Sequence, residues 1–252
     1  MPDGIRRTLS GRRTHQDSRT SIPYERGAPC TRTPTSAVSV LPFASCYAYS
    51  PSGRGPLCEQ ARALCAHVKV ADPYSLARAA SQVWMEVAAH GRFAMTFGAA
   101  VVLVPVPGSG CGQARAWVGE RLAWCLKELG LAAEVWPILE RGYAVRKSAF
   151  ASAGERPSVS EHYASFAIER GRSARIPDGR GACIRLTLVD DVITRGRTLM
   201  AAAQRLRLAF PAASIRAFAL LRTLGRDEAL DRILDPCEGE VRWVSGDARR
   251  IP

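Results

Sequence analysis

From Phe43 onward the apolar and polar positions fall into short strand-like and helix-like stretches, whereas residues 1–40 carry no period of either kind. SCYAYS (45–50) reads as a short strand, PSGRG as a turn, and CEQARALCAHVKV (58–70) as an amphipathic helix. Asp72-Pro73 opens a second helix: the carboxylate can cap free N–H groups, proline at the first helical position loses no hydrogen bond, and the apolar period runs through Trp84 and Val87 to Gly91. FGAAVVLVPVPG (97–108) is a continuous apolar run without alternation, the pattern of a parallel strand covered on both faces. Ala114–Leu129 is helical in period and ends before Gly130, and AEVWPIL (133–139) reads as one more short strand.

Residues 140–181 form a long polar passage in which only YASFAIE (163–169) looks strand-like. A structureless excursion of this length inside a compact domain is usually functional or disordered. The final stretch is the most regular. CIRLTLV is a strand, DDVITRGRT a turn, LMAAAQRLRLAF a helix and ASIRAFALLRT a strand, which together make a βαβ unit. The expected fold is therefore α/β, a mostly parallel sheet flanked by helices. Its parts are a disordered basic tail (1–40), a helical lead-in (41–95), a core (96–225) and a C-terminal extension (226–252).

Composition adds bounds to this picture. The 252 residues carry 35 basic and 23 acidic side chains, a formal charge of +12. Only Lys69, Lys127 and Lys147 are lysines. Such an excess suits anionic partners, nucleic acid among them, without choosing one. The longest apolar run is far shorter than the ~20 residues of a membrane-crossing helix, and the N-terminus lacks the apolar segment of a secretory signal, so the expected compartment is the cytoplasm. The eight cysteines include no C-x-x-C pair; they read as free thiols, mostly buried. His162, beside Glu161 and Tyr163, reads as a packing or capping residue in preference to a proton-transfer group.

The candidate chemistry lies in VDDVITRGRT, 189–198. Asp190 and Asp191 follow a buried strand and emerge at its carboxyl end, where open α/β sheets bind ligands. Thr194, Arg195, Gly196, Arg197 and Thr198 then lead into a helix, where backbone N–H groups and the helix dipole favour an anion such as phosphate. Paired carboxylates just upstream suit vicinal hydroxyls.

This string resembles the signature of the type I phosphoribosyltransferases, and the VVLVPVPG strand (101–108) makes the ComF-type branch the most similar, over roughly residues 45–225. The resemblance implies that Asp190 and Asp191 bind the ribose hydroxyls of phosphoribosyl pyrophosphate (PRPP), and that Val192, Ile193 and Thr194–Thr198 form the loop holding its 5-phosphate. It also implies that Val106, Pro107 and the residues after them approach the pyrophosphate, which carries Mg2+. Residues 139–168 resemble a mobile hood in which Arg146 and Lys147 face pyrophosphate, with Lys147 placed beside the acidic pair among the catalytic residues. The implied activity is transfer of ribose 5-phosphate to an unidentified nitrogen acceptor. A non-catalytic PRPP- or nucleotide-sensing protein, or one acting in DNA uptake, is the alternative.

Three features depart from that pattern. Arg195 and Arg197 stand where the family has Thr and a small residue; Arg195 is expected to face outward, whereas Arg197 can reach phosphate or turn away. The zinc-binding cysteine pairs of the ComF type are missing. Thr194 occupies the place of an acidic residue in 6-oxopurine enzymes, which argues against hypoxanthine or guanine as acceptor. Neither the acceptor nor the oligomeric state has a readable signal.

Overall fold

The computed structural model describes residues 38–110, 117–146, 156–169, 184–225 and 228–252, all within the unit Thr33–Pro252. The expected tail (1–40) thus lies almost wholly outside the described residues.

Strands are β1 (Val40–Tyr49), β2 (Gly98–Pro105), β3 (Ala132–Val135), β4 (Leu139–Arg141), β5 (Phe166–Ile168), β6 (Arg185–Ile193), β7 (Ser214–Thr223), β8 (Leu234–Val244) and β9 (Asp247–Ile251). Helices are α1 (Pro56–Lys69), α2 (Pro73–Ala88), α3 (Val118–Glu128), α4 (Val159–Ser165) and α5 (Arg197–Ala209). Seven strands form one mixed, mostly parallel sheet in the order β3-β2-β6-β7-β1-β8-β9, while β4 and β5 pair antiparallel by themselves. The five strands from β3 to β1 are parallel, and β8 and β9 add an antiparallel edge. Among the described residues no helix is long and apolar enough to cross a membrane.

Strand alternation divides the core in two. Val102, Val104, Leu186, Leu188, Ala217 and Ala219 face α5 and the β4–β5 pair. Val101, Leu103, Val189, Phe218 and Leu220 face α1, α2 and α3. The central strands are buried on both sides, which is why they read as unbroken apolar runs. Asp72 caps α2 as expected, its Oδ2 accepting from the Ser75 N–H at 2.8 Å.

Several sequence expectations need correction. The strand around 45–50 begins earlier, at Val40, because its first half pairs with β8. AEVWPIL is not one strand: β3 ends at Val135, Trp136 turns into the core, and β4 starts at Leu139 in the other sheet. YASFAIE is helical through Ser165 and extended only over Phe166–Ile168, since Ser158 and Glu161 form a capping box that starts α4. The DDVI segment belongs to β6 rather than to a turn, its backbone continuing to pair with β7 as far as Ile193↔Arg222. In the C-terminal stretch, Ser245 (φ 50°) and Gly246 (φ 83°) form a two-residue hairpin turn with both φ positive, as type I′ turns require, joining β8 to β9.

Candidate functional site

The site is built at the carboxyl end of β6. Gly196 has φ 83° and ψ 11°, a left-handed conformation that turns the chain from strand into helix and leaves α5 without a side-chain cap on its opening N–H groups. The reason for glycine is also steric. A Cβ here would lie 2.6 Å from a methyl of Val241 on β8, so the loop rests directly on the C-terminal hairpin. The adjacent parallel strand β2 ends beside it, the Val106 N–H donating to the Val189 carbonyl at 2.9 Å.

A cleft at this corner is lined by Asp190, Val192 and the whole Ile193–Leu199 loop, closed over by Arg156 and His162. The sequence-derived loop residues are therefore brought together. Asp190 faces this cleft, and its carboxyl is pushed well above the usual range, first by burial and then by the charge of Asp191, with Arg141 opposing. Asp191 does not line the cleft. As the next residue of the strand it faces the side covered by α1, where the Cys65 thiol is raised mainly by burial, with a further contribution from Asp191. The Asp190 Oδ1 accepts from the Asp191 N–H at 2.9 Å, and the Asp191 Oδ1 from the Val192 N–H at 2.8 Å.

Val106 and Pro107 are buried, Val106 within the apolar core, so from Val106 only backbone can reach the site. Arg146 is exposed and lines a second hollow with Tyr143, Glu161 and Pro157; Arg156 lines both hollows. The Arg156 Nε is buried without a hydrogen-bond partner among the described residues. Lys147 lies outside the described residues.

The two loop arginines separate clearly. Arg195 is exposed, with Nη1 3.8 Å from Asp247. Arg197 makes a bidentate pair with Asp247, Nε to Oδ1 at 2.7 Å and Nη2 to Oδ2 at 2.5 Å, and donates through Nη1 to the carbonyls of Arg156 and Pro157 at 3.1 and 3.2 Å. That pairing holds the Asp247 carboxyl below its ordinary range. Arg197 thus fastens the loop to β9 and to the start of α4.

Sequence reasoning missed Arg141, Arg156 and Asp247. Arg141, 7% exposed, donates from Nε to the Gly108 carbonyl and from Nη1 to Ser165 Oγ, each at 2.5 Å, and lies over the Phe166 ring at 4.3 Å. Its Nη2 is 3.3 Å from His162 Nδ1, and His162 Nε2 is 3.4 Å from Thr198 Oγ1. Burial lowers Arg141 to about 10, which keeps it charged at neutral pH. His162 is pushed down to about 4 by burial and then by Arg141, so its ring is neutral. Nothing local in the sequence marks Arg141, whereas Asp247 follows a Ser-Gly pair between two alternating stretches, a legible hairpin signal.

Among the described residues no three His, Cys, Asp or Glu side chains form a group able to hold a metal ion. A scan against models of protein families finds no match, and a search of curated proteins finds none either.

Proposed function

We propose that this chain is a PRPP-dependent phosphoribosyltransferase of the type I kind, with the ComF-type branch the most similar, acting on a nitrogen acceptor. The observation that carries the reading is the corner itself: an acidic residue at the end of a buried parallel strand, followed by a Thr- and Gly-containing loop that opens a helix with uncapped N–H groups. These N–H groups, with the helix dipole and the Thr194 and Thr198 hydroxyls, would hold the 5-phosphate. Asp190 would accept from the ribose hydroxyls. The backbone just after β2, which neighbours β6 in the sheet, would approach the pyrophosphate.

Magnesium fits this site as an ion carried by the substrate. Asp190 supplies hard oxygen donors at the cleft, too few for a protein cage, and magnesium binds readily through substrate phosphates and water. When bound, it offsets the charge of the departing pyrophosphate. The protein's own contribution is positioning together with fixed cations, Arg156 and Arg146, for the developing negative charge. No nucleophilic side chain is needed.

Isothermal titration with PRPP and Mg2+ tests the reading: saturable binding is expected, and its absence overturns it. Pyrophosphate release on adding candidate bases then separates a transferase from a protein that only senses PRPP.

A further inference from the structure

His162 sits on the α4 face formed by Val159, His162 and Ser165, spaced three apart and all buried. That face packs toward α5 and β4, which places the imidazole between the Arg141 guanidinium and Thr198 in the first turn of α5. The chemistry of the two neighbours fixes the ring. A guanidinium has donors only, so Nδ1, 3.3 Å from Arg141 Nη2, must present its lone pair. A neutral imidazole carries one proton, which therefore resides on Nε2 and points at Thr198 Oγ1, 3.4 Å away. A hydroxyl that accepts on one side keeps its own proton for another acceptor. The other neighbour of Thr198 is the cleft that both it and His162 line.

We propose that His162 is a positioning residue for the anion loop: locked as the Nε2–H tautomer by Arg141, it donates to Thr198 Oγ1 and thereby turns the Thr198 hydroxyl into a donor aimed at a phosphate monoester above Gly196–Thr198. Both contacts, at 3.3 and 3.4 Å, are at the long end for hydrogen bonds, and an anion accepting from Thr198 would draw them in. Burial is the main reason the ring stays neutral; of the charged groups acting on it, Arg141 on β4 and Arg197 on α5 push the same way and Glu161 on its own helix opposes. The arrangement rests on the phosphate-loop reading above and adds to it a specific role for a residue otherwise read as packing.

The test combines nitrogen NMR of the His162 ring in the free protein with affinities for ribose 5-phosphate. The free wild-type ring is expected as Nε2–H; the Nδ1–H tautomer or an imidazolium at pH 7 overturns the proposal. His162→Phe and Thr198→Val should each weaken ribose 5-phosphate about tenfold, the value of a hydrogen bond to a charged group. The double variant should be no weaker than either single one, because both remove the same bond. Thr198→Ser and His162→Gln, which keep the hydroxyl and a donor, should recover most of the affinity. Additive losses, or normal binding by His162→Phe, overturn the positioning role while leaving the phosphate loop standing. A wild-type protein that binds neither ribose 5-phosphate nor PRPP removes both.

Discussion

Arg141 and Arg197 each tie together elements around the cleft, but through different partners. Arg141 reaches from β4 to the loop after β2 and to α4, donating to a carbonyl, a hydroxyl and an imidazole. Arg197 reaches from the loop after β6 to β9 and pairs bidentately with Asp247, adding a smaller push on His162 than Arg141 does. After burial, the charge of Arg141 acts on the groups that titrate around the cleft, opposing the rise of Asp190 and deepening the fall of His162. Arg197 fixes shape. Arg141 has the larger effect on protonation and Arg197 chiefly fastens β9 to the loop, although both look in sequence like further members of an arginine-rich chain.

The most damaging way to break this division is to strike the Arg197 side from beneath. Gly196→Val combines a left-handed β-branched residue with a clash against Val241, and it should cost about 4 kcal/mol, read as a lower urea midpoint, with loss of PRPP binding. Next comes Arg141→Met, expected to cost about 3 kcal/mol because the Gly108 carbonyl, Ser165 and His162 all lose a donor. The same variant should raise the His162 midpoint above about 4 in an NMR titration. An unmoved midpoint would refute the claim that Arg141 sets protonation.

Asp190→Asn sharpens the comparison from within the cleft. A carboxyl whose folded pKa lies above its unfolded value stabilises the fold at low pH, and that contribution fades as pH rises from about 4 toward the folded value. At pH 7 the asparagine variant should therefore melt higher than wild type while binding PRPP poorly. His162 contributes with the opposite sign: its share of stability falls on acidification below about 6.5, where the unfolded ring takes up a proton that the native ring refuses until about 4. The smallest effect belongs to the exposed charge: Arg195→Ala should stay within about 0.5 kcal/mol, whereas Asp247→Asn should cost about 1–2 kcal/mol and speed hydrogen exchange in β9.

Much of the fold was legible because the central strands are buried on both faces, and unbroken apolar runs such as 101–106 admit few other readings. The corner after β6 was legible for a related reason, since a strand, an acidic pair and a Gly turn are contiguous. What escaped was set by distance along the chain. The end of β6 could not be placed from VDDVI, because acids at a strand end still pair their backbone, and the opposite facing of Asp190 and Asp191 follows from that extended geometry alone. The role of Gly196 also needed a partner far away in sequence, Val241, and Arg197 found Asp247 fifty positions later.

The position of β1 has a consequence for how the chain reaches this state. β1 lies between β7 and β8, so Phe43 pairs with Ala217, 174 positions later, and Val40 with Arg242, 202 positions later. Loop-closure entropy must be met before either pairing rewards the chain, which makes incorporation of β1 a slow step compared with forming the local helices. Until β7 is available, VLPFASCYAY offers an apolar strand with two open edges, and partly folded chains carry their aggregation risk there. The loop after β6, seated on β8, is completed only after that same late closure.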